Sequence, residues 1–201
     1  EYIKEMHVVP LKYSFGRQQH IDKVTQTTSE FYEQMKNDSN HPKTSQPAPK
    51  DFKKTYNFIS SHYSSILSLH LSQKISGTYQ SAINAAKNIS IKNMEVIDSK
   101  TASVGLGLLT MHAIDLKQEG KSFDEIVESV KSKMNQTKIY VVIDDLSYIV
   151  KGGRLPSKVK TIANLLRLRP VLITKKSGKM SVGGILYGKS RMVNKFSKFI
   201  T

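Results

Sequence analysis

The polar–apolar rhythm of the chain changes twice. Over residues 7–13 apolar side chains dominate a strand-length run, and Pro10 within it has no N–H for a ladder, which predicts an edge strand or a bulge. Residues 16–26 are polar and read as a loop. Thr27, followed three positions later by Glu30, forms a capping box that opens a short helix through Phe31 and Met35. Residues 38–50 hold Pro42, Pro47 and Pro49 among small polar residues and predict an ordered loop or a linker. Residues 51–61 place Phe52, Tyr56 and Ile59 on one helical face.

A regular alternation then begins. Residues 66–71 read as a strand, 76–89 as a helix with Tyr79, Ile83 and Ala86 on one side, and 95–97 as a second strand. A largely apolar helix follows over 102–118, ended by Gly120, and Ser122 with Glu125 forms a second capping box opening a helix to about residue 135. Strands and helices alternating at these lengths predict a parallel sheet covered on both faces. After Thr137 the pattern changes again. A strand over 139–143 leads into a loop through Gly152-Gly153-Arg154, then a helix over 159–168. Two strand-like runs, 171–174 and 179–182, flank a Lys-Ser-Gly turn and predict a hairpin; residues 190–200 close as a helix. The fold class is therefore α/β with two domains: a parallel-sheet α/β domain over 1–136 and a smaller α+β domain with a mixed or antiparallel sheet over 137–201. Residues 1–40 are free to pack with the second.

Composition narrows the function classes. The chain has 201 residues, 38% apolar and 23% charged, as in an ordinary globular protein. No run approaches the ~18 apolar residues that cross a bilayer, and the charged opening Glu1-Tyr2-Ile3-Lys4-Glu5 has no signal-peptide pattern. There is no Cys, which excludes disulfides, thiol catalysis and thiolate metal sites; a cytoplasmic location is the expectation. The net charge is +15, from 31 Lys and Arg against 16 Asp and Glu. Such a surplus attracts anions, including anionic membrane, phosphorylated ligands or nucleic acid. The Lys residues are scattered, however, and form no dense run with interleaved aromatics, so no nucleic-acid partner is expected.

Ligands of open α/β sheets sit beyond the carboxyl ends of the strands. Three small polar clusters fall at or beside such places: Lys43-Thr44-Ser45-Gln46-Pro47, Ser72 to Thr78, and Asp98-Ser99-Lys100-Thr101. Ser76-Gly77-Thr78 opens a helix directly after a strand, where free N–H groups and the helix dipole favour an anion. Gly77 allows close approach to the backbone. Ser76 either donates to such an anion or simply caps the helix. Thr44, Ser45 and Gln46 offer two hydroxyls and an amide on a stiffened loop, which is also an ordinary turn composition. Arg154, after two glycines, is placed to reach a phosphate or an acidic partner, or to stand in solvent. Enzyme signatures are thin: there is no Gly-x-Ser-x-Gly, no Walker A loop and no His-Glu-x-x-His. Asp144-Asp145 is a carboxylate pair able to hold a divalent ion only if a turn makes the two converge. His70, inside a strand pattern, reads as a satisfied, semi-buried residue.

Together these segments resemble the DegV family, whose better-studied members are the fatty-acid-binding subunits of bacterial fatty acid kinase. The resemblance is carried by Lys43-Thr44-Ser45-Gln46-Pro47, Ile66-Leu67-Ser68-Leu69-His70-Leu71-Ser72, Ile75-Ser76-Gly77-Thr78-Tyr79-Gln80-Ser81-Ala82, Val96-Ile97-Asp98-Ser99-Lys100 and Gly105-Leu106-Gly107. Val142-Ile143-Asp144-Asp145-Leu146, Lys151-Gly152-Gly153-Arg154 and Arg169-Pro170-Val171-Leu172 complete it, in family order. It implies a two-domain α/β fold with one long-chain fatty acid buried between the domains. Thr44 and Ser76 would bind the carboxylate with Ser45, Gly77 and Thr78 beside them, and Arg154 and Arg191 would contact a partner or a phosphate. It implies no catalytic residue, metal or cofactor in the chain itself. A separate fatty acid kinase subunit would phosphorylate the bound acid to acyl phosphate for phospholipid synthesis, with transient contact at a membrane surface a further expectation. The chain departs from the family pattern in three places. It starts after the usual first strand, carries Gln73-Lys74 where a glycine is common, and matches the basic element after the hairpin poorly around Arg191.

Overall fold

The computed structural model describes residues 2–143, 145–159, 168–188 and 192–200. Asp144, Arg191 and most of the helix expected over 159–168 lie outside the described residues.

The alternating middle of the chain folds around a parallel pair of strands, β4 (Ser65–His70) and β5 (Asn93–Asp98), in register from Ser65 opposite Asn93 to His70 opposite Asp98. The period-2 geometry of a strand divides their side chains between two cores. Ile66, Met94 and Val96 face α2 (Pro49–Ser60) and α3 (Thr78–Ala86), where they join Phe52, Tyr56, Ala82 and Ala85. Leu67, Leu69 and Ile97 face α4 (Ser103–Gln118) and α5 (Phe123–Gln136), meeting Ala113, Ile126, Val127 and Val130. Both faces of the parallel pair are thus covered by helices, as apolar side chains on both faces require.

Ahead of this layer, β1 (Lys12–Phe15) pairs antiparallel with β2 (Gln18–Ile21) and with β3 (Lys43–Ser45), giving a small sheet of order β2-β1-β3. The run expected over 7–13 is a strand only from Lys12 on, and the polar stretch expected as a loop contains β2. The turn at Gly16-Arg17 joins the two strands, and Gly16 has φ +56°. Helix α1 (Thr28–Asn37) follows, with Thr27 and Glu30 forming the expected capping box. Before β1, Tyr2 donates to Asp115 at 2.7 Å and Glu5 pairs with Lys117 at 2.6 Å, which fixes the short 3-10 helix Tyr2–Glu5 on α4.

The last part of the chain forms an antiparallel sheet of order β6-β7-β8, from β6 (Tyr140–Val142), β7 (Leu168–Thr174) and β8 (Met180–Tyr187). Leu146, Leu155 and Leu172 are the buried centre on one face. On the other, the space beside Gly184 is filled by Phe199 of α7 (Met192–Ile200). A one-turn helix, α6 (Ser147–Lys151), occupies part of the loop expected after β6.

No described helix is long and apolar enough to cross a membrane. A parallel sheet with helices on both faces, together with antiparallel sheets, gives the α/β class expected from the sequence.

Candidate functional site

The carboxyl ends of β4 and β5 are the natural place to look, and three loops meet there. Ser72 follows β4 and is fully buried. Its N–H donates to the Thr101 carbonyl at 2.8 Å, tying the loop after β4 to the loop after β5. Its Oγ donates to the Gly178 carbonyl at 2.8 Å, across 106 positions of sequence. Gly178 lies in the β7–β8 turn, so the tip of that hairpin reaches the ends of the parallel strands. A glycine is needed at this contact for two reasons. Its φ is +82°, and a Cβ there would lie 2.2 Å from Ser72 Oγ and 3.2 Å from Lys100 Cα. The Asp98 carboxylate braces the same junction by accepting from the backbone N–H groups of Gln73 (3.2 Å) and Lys100 (3.0 Å) and from Gln73 Nε2 (2.8 Å). It caps a loop and not α4, whose N-cap Ala102 has no side-chain bond.

Helix α3 begins at Thr78, and its N-cap is Gly77, without a side-chain cap. Ser76 Oγ accepts from the Thr78 N–H at 3.3 Å and shares a 2.8 Å hydrogen bond with Thr78 Oγ1. One of the two hydroxyl protons lies in that mutual bond; the second is available to an acceptor at the helix start. Ser76 therefore organises the first turn and still belongs to a donor pair at the positive end of the helix.

The Thr44 cluster meets α3 through Gln46. Gln46 Nε2 donates to the buried Ser81 Oγ at 3.1 Å, and a Cβ on Gly77 would stand 2.0 Å from Gln46 Oε1. The close approach that Gly77 permits is thus made by the Gln46 amide. Thr44 lies opposite Tyr13 and Ser45 opposite Lys12 in the β1–β3 pairing, both exposed. The following turn is held by Asp51, which accepts from the Ala48 N–H at 3.0 Å and pairs with Lys12 at 2.7 Å. The hydrogen bond from Lys12 is the main cause that holds the Asp51 carboxyl below its ordinary range. The three-residue strand at Lys43–Ser45 had no signal in the sequence, because so short a strand shows no alternation.

Behind this rim, Tyr56 OH lies 2.7 Å from Ser68 Oγ, which lies 2.8 Å from His70 Nε2. The Phe52 ring meets His70 edge-on at 5.3 Å. Burial pushes the His70 imidazole down to about 4, against a smaller upward pull from Asp98. His70 is a satisfied core histidine, more deeply buried than the sequence suggested.

Arg154 stands just after α6. Helix α6 ends in a Schellman turn: Arg154 N–H donates to the Ile149 carbonyl at 3.0 Å and Gly153 N–H to the Val150 carbonyl at 2.9 Å, with Gly153 at φ +78°. The exposed Arg154 guanidinium bonds the Gly152 carbonyl. Nearby, a polar cleft of about 230 Å³ includes Asp38, His41, Asp145, Tyr148 and Lys151, with the His41 and Tyr148 rings stacked 5.0 Å apart. Partial burial, then Lys151 and Lys43, holds the His41 imidazole below its ordinary value. Among the described residues, no three His, Asp or Glu side chains are grouped to hold a metal ion.

Known proteins share this arrangement of chain and fold. A DegV domain-containing protein of Staphylococcus aureus strain COL is 37% identical over 173 residues, covering 85% of this chain and 61% of that protein. The solved structure of a fatty-acid-binding DegV family protein from Thermus thermophilus superposes with a TM-score of 0.84 at 29% identity, over 96% of this chain and 69% of that one. A stearic acid-binding protein from Eubacterium ventriosum gives a TM-score of 0.87 at 27% identity, over 99% of this chain and 70% of that one. The chain thus spans 61% of the length of the Staphylococcus protein and 69% and 70% of the two solved chains. The family model described as an uncharacterised protein of the DegV family matches residues 2–201, and with a match of that extent the chain belongs to the DegV family.

Proposed function

We propose that this chain binds one long-chain fatty acid, receives its carboxylate at Thr44, Ser45, Ser76, Gly77 and Thr78, and presents it to a separate kinase subunit. The observation that carries the reading is the joining of two hydroxyl-bearing segments at the start of α3: the Ser76–Thr78 pair, and the Thr44–Ser45 strand that Gln46 holds against Gly77 and Ser81. A buried carboxylate is costly unless hydrogen-bonded, and hydroxyls with helix N–H groups satisfy it. The acyl chain supplies the affinity, at roughly 0.8 kcal/mol for each buried methylene before ordering costs. Its place on this reading is between the parallel-sheet unit and the antiparallel unit, which divide near residue 137. The fatty-acid binding named for the Thermus and Eubacterium relatives supports a fatty acid as the ligand.

The chain carries no catalytic group on this reading. The partner supplies the phosphoryl chemistry, and Arg154 engages it; that part rests on the likeness of Lys151-Gly152-Gly153-Arg154 to the family element. The Arg191 assignment falls outside the described residues.

The test is mass spectrometry of protein purified from bacteria, followed by oleate titration. One fatty acid per chain is expected. Thr44→Ala with Ser76→Ala should weaken uptake by at least about tenfold, since each lost hydrogen bond to a charged group is worth about 1.5–3 kcal/mol. A chain that is isolated empty and ignores added oleate would falsify the reading. Arg154→Ala should leave uptake intact and slow acyl phosphate formation by the kinase.

A further inference from the structure

The rim of the site depends on a residue that offers it no hydroxyl. Gln46 sits two positions after Thr44 and one after Ser45. Its amide spans from β3 to α3: Nε2 donates to Ser81 Oγ at 3.1 Å, while Oε1, Cδ and Nε2 lie 2.0, 2.6 and 2.7 Å from the point where a Gly77 Cβ would be. Ser81 is 3% exposed, so the amide is anchored to a buried hydroxyl on the first turns of the helix. On the other side, β3 contributes only three residues to its sheet, and the chain leaves it at once through Pro47. Such a short strand fixes the Thr44 and Ser45 hydroxyls poorly by ladder bonds alone.

We infer that Gln46 is a positioning residue for the anionic headgroup: its amide bridges Gly77 and Ser81 so that the hydroxyls of Thr44–Ser45 and of Ser76–Thr78 meet one carboxylate. The inference rests on the fatty-acid reading and assigns a role within it. Gly77 is then a glycine because of Gln46, and the two positions form one unit. Any side chain at Gly77 expels the amide, and a small side chain at 46 makes a methyl at 77 tolerable.

The experiment is a set of binding titrations with oleate and with oleyl alcohol, which has the same chain and no charge, on wild type, Gln46→Ala, Gln46→Glu, Gly77→Ala and the Gln46→Ala/Gly77→Ala double variant. Thermal unfolding of each is followed in parallel. Gln46→Ala is expected to weaken oleate about tenfold and to change oleyl alcohol less than about twofold, a loss specific to the headgroup. Gln46→Glu, which sets a carboxylate beside the ligand's own, should cost more for oleate and again spare the alcohol. Gly77→Ala should match Gln46→Ala, and the double variant should be no worse than either single one, the signature of a coupled pair. Equal losses for both ligands, or additive losses in the double variant, overturn the inference and leave Gln46 a structural residue. If wild type binds oleate and every variant binds it equally, this inference alone fails. If wild type binds neither ligand, the fatty-acid reading fails and takes this one with it.

Discussion

His70 ends β4 with its ring against Phe52 and its Nε2 on Ser68 Oγ, and burial keeps it neutral down to about pH 4. In the unfolded chain a histidine takes up its proton near 6.5. Between those values the unfolded state binds a proton that the folded state does not. Stability therefore falls as the pH drops from about 6.5 towards 4, by up to about 1.4 kcal/mol per pH unit. Urea midpoints measured between pH 7 and 4.5 should show this slope, and His70→Asn should flatten it; an equal slope in the variant means that other groups carry it. The strand pattern around His70 made a satisfied, semi-buried histidine legible in the sequence, and its full burial was not. Thr44 and Ser76 were legible as hydroxyls in loop-like segments. The part played by Gln46 was not, since an amide 35 positions from its partner leaves no periodic trace.

Helix boundaries are where the sequence spoke most clearly. Both capping boxes, Thr27 with Glu30 and Ser122 with Glu125, form as the spacing predicts. The elements that went unread are those with no internal period to show. Strand β2 is polar at Gln18 and Gln19 with only His20 buried, and α6 is a single turn. Yet α6 ends by a rule visible afterwards in Gly152-Gly153: Gly153 takes φ +78°, which a side chain resists. Gly153→Ala should cost about 1 kcal/mol and shift the Arg154 guanidinium. Denaturant unfolding checks the first effect. On the proposed kinase partnership, the second should appear as a weaker affinity for that kinase at unchanged fatty-acid affinity, and an unaltered kinase affinity would count against it.

At the scale of the molecule, the alternation that predicted a covered parallel sheet and the hairpin pattern that predicted an antiparallel one both correspond to what folds. What no local pattern could show is that the turn of the hairpin reaches Ser72 and Lys100. That contact has an electrical consequence. The turn carries Lys175, Lys176 and Lys179, all exposed, and its Gly178 meets the loops after β4 and β5, which carry the exposed Lys74 and Lys100. Five exposed lysines thus lie on the three loops that meet at the strand ends, within a chain whose net charge is +15. On the proposed function, a fatty acid anion diffusing nearby would be drawn to that end before it touched a hydroxyl. Salt at 1 M shortens the reach of this field from about 10 Å to about 3 Å. Stopped-flow capture of oleate should therefore slow as ionic strength rises, while the release rate, set by contacts already made, stays nearly constant.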